Sequence, residues 1–208
     1  MPGPRGPASP ERKALWILAA ALLGEGIPVV ITTVADPAYF AGYLGFAPDA
    51  AGTWQGWLTG AFVAALYVWA TAAIPAVREC LFKPSFLKAV ALVTAVMAAV
   101  LEEVIFRKWT MDALERQGSG AALQILASGV AFGAAHAVWG FFGGSLSAAV
   151  QSMVATTVLG AALGVVYLLS GRSLAPCVVA HFVITALIEP GLALAAVSGE
   201  LGRPLRKT

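Results

Sequence analysis

Long apolar blocks alternate with short polar breaks along this chain. The runs 14–35 and 120–140 each reach the length of about 20 residues that crosses bilayer hydrocarbon. Reading from breaker to breaker, the pattern predicts spanning helices at 13–35, 57–77, 86–115, 120–139, 145–170 and 173–197. The expected fold is an all-α, polytopic transmembrane bundle of about six helices. The stretch 36–55 carries Pro37, Pro48, Tyr39, Phe40, Tyr43 and Trp54 and reads as an interfacial loop, because aromatic rings favour the headgroup level.

Composition strengthens this reading. Hydrophobic residues make up 59% and charged residues 12% of the chain, against about 45–50% and about 25% in soluble domains. A net charge of +2, dispersed along the chain, lacks the basic footprint of a nucleic-acid binder. Cys80 and Cys177 have no CxxC or Cys/His spacing around them, which argues against a structural zinc knuckle. The expected organisation is a flexible tail at 1–12 ahead of a retained first helix, accessory helices over 13–100, a core over 101–197 and a basic tail at 198–208.

Basic residues suggest an orientation. Arg5, Arg12, Lys13, Arg78, Lys83, Lys88, Arg203, Arg206 and Lys207 fall on one side of the predicted bundle, and Arg116 and Arg172 on the other. Both termini are therefore expected to be cytoplasmic. This assignment leaves Arg107 and Lys108 inside the third helix, which at about 1.5 Å per residue is then about 45 Å long and holds Glu102 near mid-membrane. The same arithmetic places His136 about 24 Å along the fourth helix from Gly120 and His181 about 15 Å beyond Gly171 in the sixth. All three side chains are expected within about 10 Å of one another in depth.

The chemistry concentrates in these residues. Glu102 and Glu103 stand side by side in apolar surroundings, where each carboxylate costs about 2.5–3.5 kcal/mol on insertion scales. Glu103 and Arg107 are four apart and share a helix face, whereas Glu102 points about 100° away, toward another helix, as a general acid or base would. Phe132 and His136 share a face of the fourth helix. His181, Thr185 and Glu189 form an i, i+4, i+8 stripe on the sixth.

The ordered pattern of Glu102-Glu103 with Arg107, then Phe132 with His136, then His181 resembles the CPBP family. That family comprises type II CAAX prenyl proteases and bacteriocin-processing or immunity proteins, also called Abi intramembrane proteases. Gly160, Gly164, Tyr167, Gly171, Ala175, Pro176 and Ala180 lead into His181 in the family's manner, and the likeness covers roughly 101–189. The resemblance implies a glutamate-dependent intramembrane endopeptidase. Glu102 and His136 would activate a water, and His181 with Thr185 would stabilise the oxyanion; Glu103 and Arg107 complete the implied catalytic set. Family members usually carry Asn where this chain has Thr185, which keeps one hydroxyl donor on a shorter arm.

The family is often labelled metalloprotease, and Glu102, His136 and His181 match a His₂Glu set for one divalent metal such as zinc. Metal-free water activation is the equal alternative. Expected partners are membrane lipids and a membrane-associated peptide or protein substrate, with no nucleic acid, in a bacterial plasma membrane. Against the enzymatic reading stand a structural ion-pair network of Glu102 and Glu103 with Arg107 and Lys108, and packed histidines bonded to backbone carbonyls. A family member turned to bacteriocin immunity or membrane scaffolding is the competing function. A proton-coupled transporter would show inverted repeats, and the chain has no such internal symmetry. Gln151 is expected to bond between helices, Glu25 to line a cavity or snorkel, and Glu189 to support the site or mark the helix end. The pair Gly160 and Gly164 reads as close helix packing, and 141–144 as a tight turn.

Overall fold

The computed structural model describes residues 9–143 and 145–201. The tail residues 1–8 and 202–208, with Arg5, Arg203, Arg206 and Lys207, lie outside the described residues, as does Gly144. Among the described residues there is no strand, and the all-helical membrane bundle expected from the sequence is what is observed.

Helix α1 (Pro10–Ala35) starts where the Ser9 side chain accepts the Arg12 N–H at 3.3 Å and Pro10 occupies the first turn. Asp36 ends α1 and caps α2 (Pro37–Leu44), its Oδ1 accepting the Tyr39 N–H at 2.9 Å. A helix therefore occupies part of 36–55, where a loop was expected. An aspartate cap followed by proline is a helix start, and the aromatic content hid it.

Helix α3 (Trp54–Thr71), capped by Thr53, is shorter than the span predicted to residue 77. Pro75 lacks an N–H and disfavours helix at the preceding residue; Ile74 is accordingly extended, and α4 (Pro75–Cys80) begins anew.

Helix α5 (Phe86–Glu103) continues through a π-helical stretch, Val104–Met111, into α6 (Asp112–Arg116), making one rod of 31 residues. Helix α7 (Ala121–His136) ends three residues before the predicted limit. Helix α8 (Trp139–Gly143) replaces most of the expected turn, held by Trp139 packing beside Leu18, Ala14 and Ala193. Helices α9 (Leu146–Leu169) and α10 (Ala175–Val197) follow the prediction closely.

By length and composition α1, the α5–α6 rod, α9 and α10 can cross a membrane, and α7 is a shorter apolar helix. Together with α3 they form the six-helix arrangement. Its outer surface is apolar: Trp16, Ile31 and Val34 on α1, Phe62 and Trp69 on α3 and Val158 on α9 are all exposed. Helix α10 is the centre of the bundle, packing on α1, α3, α4, α5, α8 and α9.

Lipid supplies no hydrophobic drive between helices, so close packing carries the assembly. Helices α7 and α9 cross at Gly129 and Gly160. A Cβ on Gly129 would lie 2.9 Å from Ala161 N, and one on Gly160 would lie 3.0 Å from both Gly129 Cα and Phe132 Cβ. That crossing presses Phe132 into the site.

Candidate active site

Glu103 and Arg107 are fully buried one turn apart, with Arg107 Nε 3.0 Å from Glu103 Oε2. Arg107 Nη2 donates to Gly160 O at 3.2 Å, and the guanidinium carbon lies 4.9 Å from the centre of the Phe132 ring. A buried charge pair needs such added partners to offset its desolvation. The pair in turn orients a histidine: His181 Nδ1 lies 2.8 Å from Glu103 Oε1. A carboxylate beside an arginine accepts, so His181 Nδ1 carries the hydrogen.

His136 is fixed in the same way by a different acceptor. Its Nδ1 lies 2.9 Å from Phe132 O, and a carbonyl accepts only, so this Nδ1 donates as well. Phe132 stands between the two imidazoles, 4.4 Å from the His136 ring and 5.6 Å from the His181 ring, with Phe106 edge-on at 5.2 Å. Both histidines therefore turn Nε2 toward one carboxylate. Glu102 Oε2 lies 3.7 Å from His181 Nε2 and 3.9 Å from His136 Nε2. These separations exceed a hydrogen bond, so the three atoms face one another without a direct bond. Glu102 Oε2 has no hydrogen-bond partner in the protein.

The three residues open on a cavity of about 820 Å³. Thr185, one turn beyond His181, lines it, as do Glu25 and Glu189. The structure thus gathers Glu102, His136, His181 and Thr185 around one space, with Glu103 and Arg107 packed behind it. Lys108 does not join them: it pairs with Asp112 at 3.6 Å, where Arg172 binds Asp112 at 2.6 Å and Glu115 at 2.9 Å. Gln151, expected to bond between helices, donates instead to Ser147 of its own helix at 3.2 Å. A four-residue spacing satisfies the amide locally. Tyr67 and Trp16 also line the cavity, and nothing in their sequence neighbourhood marks them.

A divalent metal would have to draw its ligands from Glu102, His136 and His181. Each imidazole has its second nitrogen tied to an acceptor, as in metal-bound histidines. Among the described residues, however, no group of three His, Cys, Asp or Glu is placed to hold a metal ion. Cys80 and Cys177 are free thiols; Cys177 is buried on α10 with its thiol toward Leu163 O.

Residues 84–187 match the family model described as type II CAAX prenyl endopeptidase Rce1-like. The chain belongs to this family. The match begins at the start of the α5–α6 rod and contains Glu102, Glu103, Arg107, Phe132, His136, His181 and Thr185, while Glu25 and Glu189 fall outside it. No curated protein and no solved structure matches the chain. At the level of the family this is a CAAX-protease-like intramembrane endopeptidase fold in a multi-pass membrane protein.

Proposed function

We propose that the chain hydrolyses peptide bonds of membrane-associated substrates with a water activated by Glu102. The observation that carries this reading is the convergence of the His136 and His181 Nε2 atoms on Glu102 Oε2 at 3.9 and 3.7 Å. A water between them gives its proton to Glu102 while His136 accepts a second hydrogen bond and aligns the oxygen lone pair with the scissile carbonyl. The tetrahedral oxyanion then accepts a hydrogen bond from the Thr185 hydroxyl and another from Nε2–H of His181 in its doubly protonated form. As the intermediate collapses, Glu102 returns the proton to the leaving amine, and the water's oxygen ends in the new carboxyl group. Glu103 accepts from His181 Nδ1 and so supports the imidazolium, and Arg107 pairs with Glu103 from the far side. The steps above run through the chain's own groups.

The substrates are membrane-associated peptides or proteins reaching the cavity from the lipid, and the setting is a bacterial plasma membrane. Cleavage of a fluorogenic peptide library by detergent-purified protein, beside His136→Ala and with and without chelator, tests the reading. Activity lost in the variant supports it, the chelator arm decides metal dependence, and full activity in His136→Ala contradicts it.

Thr185 favours one other reading. A short hydroxyl where the family uses an amide weakens oxyanion support, as in a member kept for bacteriocin immunity or membrane scaffolding. A biological effect that survives Glu102→Gln would favour that reading.

A further inference from the structure

Two carboxylates in the cavity have no part in the steps above. Glu25 on α1 and Glu189 on α10 line the same space as Glu102 and His181. Each has one oxygen, Oε2, closed off from solvent and without a hydrogen-bond partner. The two lie within electrostatic reach of each other and of Glu102. Among the described residues lining the cavity there is no lysine and no arginine.

Carboxylates in membrane-spanning helices face bundle interiors or wet cavities and mark substrate or ion paths. Here three of them share an apolar space lined by no lysine or arginine among the described residues, so a cation that arrives with the ligand would meet carboxyl groups it can hold in their ionised form. A metal does not fit this subsite, since no group of three His, Cys, Asp or Glu among the described residues is placed to hold one. An organic cation suits it better, because Tyr67 and Trp16 line the same cavity and offer aromatic faces to a cation.

We propose that Glu25 and Glu189 form a subsite for the ammonium of a lysine or the guanidinium of an arginine on the substrate segment. The proposal rests on the peptidase reading and adds a specificity to it. Glu189 lies eight residues beyond His181 on α10, a rise of about 12 Å. An extended substrate covers that distance in roughly three or four residues, which sets the place of the basic residue relative to the scissile bond.

The test uses pairs of fluorogenic peptides identical except for lysine or norleucine, placed three or four residues to either side of the cleaved bond. Dissociation constants come from the tryptophan fluorescence of the full chain in detergent, and kcat/KM is measured on the same peptides. At one of these positions the lysine peptide is expected to bind about 10-fold or more tightly than its norleucine twin, as a charge-assisted hydrogen bond does. Glu25→Gln with Glu189→Gln, or either alone where the double variant fails to fold, should bring that ratio toward one. Equal binding of the twins by the unaltered protein, no binding of either, or a ratio unmoved by the substitutions overturns the subsite. Equal binding with cleavage intact leaves the peptidase standing, whereas lysine-selective binding without cleavage keeps the subsite and removes the peptidase.

Discussion

Glu103 accepts a hydrogen bond from His181 Nδ1 at 2.8 Å, and this turns the opposite edge of the imidazole to face Glu102 at 3.7 Å. Two adjacent carboxylates thereby take different work. Glu103 is buried and doubly partnered, by His181 and by Arg107; Glu102 lines the cavity, its Oε2 facing both histidines beyond hydrogen-bond distance. Successive helical residues differ by about 100°, which sends one inward to the ion pair and the other to the open space.

Glu103→Ala should destabilise the protein, because it leaves Arg107 buried without its counter-ion. Breaking a fully buried pair from one side costs about 3–5 kcal/mol. Thermal unfolding in detergent reads this loss directly, and an unfolding temperature equal to that of the unaltered chain would show that Gly160 O and the Phe132 face suffice for the guanidinium.

Thr185 is the position where the oxyanion account is most exposed. Thr185→Val keeps the shape and removes the hydroxyl of this residue, and kcat should fall by about 10²–10³ as for other oxyanion donors. Thr185→Asn restores a longer donor and should raise kcat, with KM little changed. An Asn variant no faster than the original would remove Thr185 from the oxyanion site.

Gly160→Ala tests the packing beneath the site. The added Cβ would lie 3.0 Å from Gly129 Cα and from Phe132 Cβ, so α7 must shift and carry Phe132 and His136 with it. Overpacking of this kind costs about 1–3 kcal/mol, and peptide cleavage should fall together with the unfolding temperature. An unchanged unfolding temperature would mean that the α7–α9 crossing has slack.

Much of this architecture is legible in the chain. The apolar blocks mark the long helices, because only an intrasegment hydrogen-bonded helix of that length satisfies its backbone in lipid. Glu103 and Arg107 pair at their four-residue spacing, and the depth arithmetic brings Glu102, His136 and His181 to a common level, where they are found together. Short-range features were harder to see. Helix α2 depends on one aspartate cap, α4 on one proline, and α8 on the burial of Trp139 against distant helices. The π-helical stretch at Val104–Met111 leaves no pattern in hydropathy, since it changes hydrogen-bond partners without changing which residues are apolar. Tyr67 and Trp16 reach the cavity only through tertiary packing.

Glu102→Gln is the most direct test of the central claim, because it replaces the proposed base with an amide of the same shape that no protein hydrogen bond has to accommodate. The measurement is kcat/KM for a cleaved peptide, taken on both proteins after matching unfolding temperatures confirm that the fold is intact. Loss of a general base lowers the rate by about 10²–10⁴, and a fall in that range at unchanged stability is the predicted result. Undiminished cleavage by the Gln variant would contradict the account, and the activated water would have to be sought elsewhere in the cavity.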